Sequence, residues 1–153
     1  MNNNLKLIPM IGLVCLASFA AMAQTNSTPA EILLASVINS EASGESYQEK
    51  LRVGNVVLNR VRSKYYPNNI HDVIFQYKQF SGVCGKLFRY IPNGDRGDVE
   101  SIRAARALLC GERVLEPTII GFFNESLATN KKFVRRIKNK VVFKSEAHSY
   151  FRG

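Results

Sequence analysis

The sequence predicts a small α+β domain, with helices first and a short β-sheet toward the C-terminus. Three observations carry this. Apolar residues recur at helical spacing behind capping signatures between Thr28 and Gly111. Glycines stand where those periodic runs stop. The last third holds short runs rich in β-branched and aromatic residues, "TIIGFF", "KKFVRRI" and "KVVFK". At 153 residues and 46% hydrophobic composition, the chain can bury one core, so a single domain is expected.

The first stretch lies outside that domain. "MNNNLKLIPMIGLVCLASFAAMAQ" has a polar start with Lys6, an apolar run from Leu7, and Ala21-Met22-Ala23. Charged start, apolar centre and small-x-small site make residues 1–23 a signal peptide. Residues 24–28 are then a short linker and 29–153 the domain. The apolar run falls short of the roughly 20 residues that span a bilayer. The expectation is an exported protein, in periplasm, cell wall or extracellular space, with no stable membrane insertion after cleavage.

Each element has its own signal. In "TPAE", Thr28 can cap, Pro29 suits the first helical position and Glu31 completes a capping box. Ile32, Leu33, Leu34, Ala35, Val37 and Ile38 make this first helix apolar over so much of its surface that it belongs in the core. Gly44 is its left-handed stop. "SYQE" opens the second helix in the same way, with Ser46 and Glu49. Leu51, Val57, Leu58 and Val61 face the core, and Gly54 and Asn55 imply close packing. The helix ends before the turn around Pro67. "HDVIFQ" reads as a short helix or an extended piece, and 82–97 as a loop. Asp98 caps a third long helix with an Ile102, Ala105, Leu109 stripe, ended by Gly111.

Charge and cysteines narrow the partners. Net charge is +9, and removing residues 1–23 takes away only Lys6, leaving 20 Lys and Arg against 12 Asp and Glu, +8. The cations concentrate in "NKKFVRRIKNKVVFK". For an exported chain, an anionic envelope polymer or membrane surface fits better than nucleic acid, and a solvated face fits equally well. Cys84 and Cys110 form a candidate disulfide in an oxidising compartment, or are two buried thiols. With only His71 and His148 and no Cys/His cluster, no metal site and no cofactor are expected.

The chemistry centres on "NSEASGES", residues 39–46. An apolar helix drives up to Glu41, and Gly44 then separates it from Glu45. Partial burial and the helix C-terminus would each disfavour a negative charge on Glu41. A carboxyl that keeps its proton near neutral pH can donate it to a leaving oxygen, as glycoside cleavage requires. Two ordinary helix-end surface glutamates would look the same by spacing.

"SEASGE", "VVLNRV" and "YYPNNIHDVIFQYKQFSG" follow one another, with "FFN" at 122–124 and His148 and Phe151 at the end. In this order they resemble the SleB/CwlJ-type cell wall hydrolases, the spore-cortex-lytic enzyme family. The resemblance spans essentially the whole chain after residue 23. It implies a domain related to lysozyme-like and lytic transglycosylase folds, acting on peptidoglycan glycan strands between N-acetylmuramic acid and N-acetylglucosamine. It places the catalytic glutamate at Glu41 and implies substrate contacts from Glu45, Asn59, Arg60, Gln79, Phe80, Ser81, Asn124 and His148. Asn59 and Arg60 could equally tie two helices together, Phe80 could equally be core, and His148 could make a structural hydrogen bond. One acid suffices for a lytic transglycosylase, whereas a hydrolytic muramidase would need a second carboxylate, with Glu45, Asp72 and Asp95 as candidates. A non-catalytic wall-glycan binder on the same fold is the rival reading. The protein is expected to be a monomer. With no tryptophan, sugar stacking would rest on Tyr and Phe.

Overall fold

The computed structural model describes residues 27–77, 79–80 and 99–153. In chain order these form α1 (Pro29–Ala42), α2 (Tyr47–Arg62), α3 (Ile70–Ile74), α4 (Val99–Leu109), β1 (Ile119–Phe123), α5 (Lys131–Ile137), β2 (Val141–Lys144) and β3 (Ser149–Arg152). A single 3-10 turn, Lys138–Lys140, joins α5 to β2. The sheet is antiparallel in the order β1-β3-β2, so the last strand is central. The α+β expectation holds.

The helix starts form as their sequences dictate. Thr28 Oγ1 accepts from the Glu31 amide at 3.2 Å, Pro29 begins α1, and Ser46 Oγ accepts from the Glu49 amide at 3.3 Å. The reciprocal half of each expected capping box is replaced by tertiary contacts. Glu31 accepts from Ser27 Oγ at 2.9 Å and pairs with Arg106 of α4 at 2.7 Å. Glu49 turns inward, as described below.

α1 is buried on nearly every side from Leu33 to Ile38. It packs against α2, α3 and α4. α2 lies between α1 and β1, and its Val56 joins Leu115, Ile119 and Tyr150 in a second apolar cluster. The close approach rests on Gly54. A Cβ there would stand 2.5 Å from Leu108 Cδ1 and 2.7 Å from Ile38 Cδ1, so the ends of both side chains would have to shift. Asn55 Oδ1 accepts from the amides of Val114 at 2.7 Å and Leu115 at 3.0 Å, so its polar group satisfies the chain leading into β1.

Two local readings are corrected. The buried face of α4 is Ser101, Ala104, Ala105 and Leu108, while Leu109 is exposed. The small alanines let α4 approach α1, which rotates the face from the one apolar size alone suggests. "KKFVRRI" is a helix, not a strand. Asn130 Oδ1 caps it by accepting from the Phe133 amide at 2.9 Å, and Phe133, Val134 and Ile137 repeat at helical spacing. "HDVIFQ" resolves to the short helix α3, capped by Asn69. The strand Ser149–Arg152, absent from the sequence reading, completes the sheet. Among the described residues, no helix is long and apolar enough to cross a membrane. Residues 1–23, the segment 24–26 and Asp98 lie outside the described residues.

Candidate active-site groove

α1 ends one residue before the expected stop. Ser43 has φ −63° and ψ 129°, Gly44 has φ +82°, and the Glu45 amide donates to Ala42 O at 3.1 Å. These are the marks of a type II turn, in which the third residue needs the left-handed region that glycine occupies freely. Nothing lies within 4 Å of a Cβ at Gly44, so the backbone conformation alone demands glycine there. The turn brings Glu41, in the last turn of α1, and Glu45 onto one groove.

That groove holds about 590 Å3, within the range of pockets that enclose a substrate unit. Glu41, Glu45, Arg60, Gln79, Asn124 and His148 line it together. Phe122, Phe123 and Phe133 and the loop 127–130 line it as well. Glu41 and Glu45 are each half-buried, and among the described residues they are the carboxylates on the groove. Aromatic rings and carboxyl groups lining one groove offer surfaces that match apolar ring faces and hydroxyl edges.

Arg60 sits beneath this groove and is 6% exposed. Its Nε donates to Ile120 O at 2.7 Å, and its guanidinium lies 4.7 Å from the Phe80 ring centroid and 5.4 Å from that of Tyr66. Its Nη1 is buried without a hydrogen-bond partner among the described residues. Burial pulls the guanidinium below its ordinary value, while Tyr66 and Glu41 act in the opposite sense. The Glu41 effect marks Arg60 as a cation within electrostatic reach of that carboxylate.

Of the other expected site residues, Asn59 is placed away from the groove. It is 1% exposed, donating from Nδ2 to Glu116 O at 2.8 Å and Ile119 O at 2.9 Å and accepting from Asn55 at 3.1 Å. It ties α2 to the start of β1. Phe80 is 2% exposed and belongs to the main core, supporting Arg60 from below. Asn124 lines the groove, but its Oδ1 accepts from Ser126 N, Ser126 Oγ and Leu127 N, which shapes the loop after β1. Asp72 is exposed on α3 and bonded to Asn69 and His71. Ser81, Cys84 and Asp95 lie outside the described residues, and Cys110 carries an exposed free thiol.

The residue that sequence reasoning missed is Glu49. It is 2% exposed and receives four donors. His148 Nδ1 and Tyr150 Oη approach Oε1 at 2.7 Å each, Ser145 Oγ donates to Oε1 at 2.8 Å, and Arg52 donates to Oε2 at 3.0 Å. Burial alone would raise its pKa, but the bonds from His148, Tyr150, Ser145 and Arg52 together hold it at about 2. The Tyr150 hydroxyl, buried and bonded to that carboxylate, is driven far above its usual range. Because a carboxylate only accepts, Nδ1 of His148 carries the proton in this contact, and the ring is fixed edge-on to Phe122 at 4.9 Å. The second capping-box signature at Ser46 was the available signal. It put Glu49 at a helix start, yet could not show that β3 and the turn before it would cover that start.

A second hollow of about 680 Å3 opens between α1 and α3, lined mainly by Pro29, Leu33, Val61, Ile70 and Phe75. It is larger but mostly apolar, and His71 is its one ionisable lining residue among those described. It offers no carboxyl for acid chemistry.

The fold is shared with solved catalytic domains. The catalytic domain of the germination-specific lytic transglycosylase SleB from Bacillus anthracis superposes with TM-score 0.68 at 24% identity, covering 85% of this chain and all of that one. The catalytic domain of the Bacillus cereus SleB protein gives 0.64 at 26% identity, covering 84% and 94%. This is the architecture of SleB-type catalytic domains. The profile described as Cell Wall Hydrolase matches residues 44–151, most of the chain, and the protein belongs to that family. The spore cortex-lytic enzyme of Bacillus cereus is 31% identical over 114 residues, 73% of this chain and 41% of the relative. That of Bacillus subtilis is 36% identical over 61 residues, 40% and 20%. The chain thus spans less than half the length of these relatives. The family match begins at Gly44, three residues past Glu41.

Proposed function

We propose that the protein cleaves peptidoglycan glycan strands between N-acetylmuramic acid and N-acetylglucosamine, with Glu41 as general acid and then base. The observation that carries this is the convergence of Glu41, Glu45, Arg60 and His148 on one aromatic-walled groove in a Cell Wall Hydrolase domain. The protonated Glu41 carboxyl donates to the glycosidic oxygen as the bond to the anomeric carbon breaks. The muramic 6-hydroxyl oxygen then attacks that carbon, and its proton passes to the Glu41 carboxylate. The products are a free glycan hydroxyl end and a 1,6-anhydro-muramic end, with Glu41 protonated again. A hydroxyl tethered in the same sugar competes well with water. Arg60 is a cation within electrostatic reach of Glu41 during both transfers.

Glu45 on the same groove supports a second reading, hydrolysis, in which it would act as the second carboxylate. Mass spectrometry of muropeptides released from purified peptidoglycan separates the two. Anhydro-muramic ends that persist in Glu45→Gln support the lytic transglycosylase. Reducing muramic ends that disappear in Glu45→Gln establish hydrolysis. Retained wall binding without any release would mean a glycan-binding domain. We read the protein as exported through residues 1–23 and acting as a monomer, which N-terminal sequencing of the mature form and sedimentation will check.

A further inference from the structure

Ten residues, 131–140, hold Lys131, Lys132, Arg135, Arg136, Lys138 and Lys140 and no acidic residue. All six cations are exposed, on α5 and the turn after it. Elsewhere in the domain, several cations are matched: Lys50 with Glu100, Arg52 with Glu49, Arg106 with Glu31, Lys144 with Glu125 and Arg152 with Glu116. None of the six forms such a pair among the described residues. Lys131 and Arg135, and Lys132 and Arg136, stand four apart on one short helix, where like charges destabilise it. The ridge therefore opposes the helix that carries it, and an anionic ligand would reverse that effect.

Its position says which ligand. Asn130 and Phe133, at the start and on the inner side of α5, line the groove, and the Arg136 guanidinium lies 5.9 Å from the Phe133 ring centroid. The ridge thus borders the groove through Asn130 and Phe133. A glycan strand in that groove has neutral sugars, and its negative charge sits on the carboxylates of the peptide stems borne by muramic acid. We propose that the basic ridge of α5 binds stem-peptide carboxylates of the strand held in the groove, which makes it a substrate subsite. This rests on the proposed glycan cleavage. A membrane surface or a polyphosphate would use the same charge, but neither would enter the groove the ridge borders.

The test compares the full chain with its Lys132→Gln/Arg135→Gln/Lys138→Gln variant, none of whose changes lies on the groove. Substrates are intact peptidoglycan, the same material with stem carboxylates amidated, and glycan stripped of stems. On intact material the variant's KM rises about five-fold with kcat nearly unchanged, as expected for three exposed charge contacts. Amidation raises the native KM by a similar factor and leaves the variant indifferent, while stripped glycan, which keeps the lactyl carboxylate of muramic acid, gives an intermediate native KM. Raising salt from roughly 0.05 to 0.3 M closes the gap. Equal KM for both proteins on intact peptidoglycan overturns the proposal. So does an equal penalty on intact and amidated material, or a variant that loses only binding to phosphatidylglycerol vesicles or polyphosphate. If the native chain releases nothing, the cleavage reading fails. Co-sedimentation with intact and amidated peptidoglycan then decides the ridge, with the same contrast expected in Kd.

Discussion

Glu41 and Glu49 stand eight residues apart on either side of one turn, and the structure treats them in opposite ways. Glu41 lies in the last turn of α1, half-buried on the groove. Glu49 begins α2, where the terminus favours charge, and is enclosed with four donors. Both carboxylate oxygens of Glu49 accept hydrogen bonds, and its pKa of about 2 keeps it ionised near neutral pH. It has no proton to give. The contrast teaches that a carboxylate's chemistry follows from access and donors, because the residue type is the same in both places.

Changes at these sites should break or sharpen the contrast. The largest effect is expected from Glu49→Ala, which strips one partner from His148, Tyr150, Ser145 and Arg52 at once. Removing one side of a buried hydrogen-bonded charge cluster costs about 3 kcal/mol, read by urea denaturation. A fully stable Glu49→Ala would mean the cluster does not hold β3 to α2. Next comes pH. The folded value of Glu49 lies below its ordinary 4.5, so the folded state binds this proton less readily than the unfolded one. Its contribution is complete above about pH 5 and is lost as pH falls toward 2. The stability gap between native and Glu49→Gln proteins should therefore shrink by about 2 kcal/mol between pH 6 and pH 2.5, checked by denaturation at each pH. Tyr150→Phe removes one of the four donors and should cost about 1 kcal/mol. Gly44→Ala forces a Cβ into φ +82° and should cost about 1 kcal/mol, read by urea denaturation.

Much of this arrangement was legible in the residues. Thr28, Pro29 and Ser46 fixed the helix starts because caps act within one turn. The all-round apolar surface of α1 announced a central helix, and Gly44 announced the break beside Glu41. What escaped the sequence was set by partners far along the chain. Glu31 and Glu49 carry the same capping signature, yet Arg106 claims one, and His148 and Tyr150 claim the other, 75 to 101 residues away. Asn59 and Phe80 sit within motif stretches, but one anchors β1 and the other props Arg60 from the core. "KKFVRRI" has the β-branched and aromatic content of a strand, and its helix follows from the Asn130 cap and the spacing of Phe133 and Ile137.

The central claim is that the groove carboxyl, and not the buried one, performs the chemistry. Muropeptide release from purified peptidoglycan, measured side by side for Glu41→Gln and Glu49→Gln and normalised to folded protein, tests it most directly. The account predicts that Glu41→Gln loses release by about 10³-fold with its unfolding midpoint unchanged, while Glu49→Gln keeps most of its turnover per folded molecule. Full release from a folded Glu41→Gln protein would contradict it.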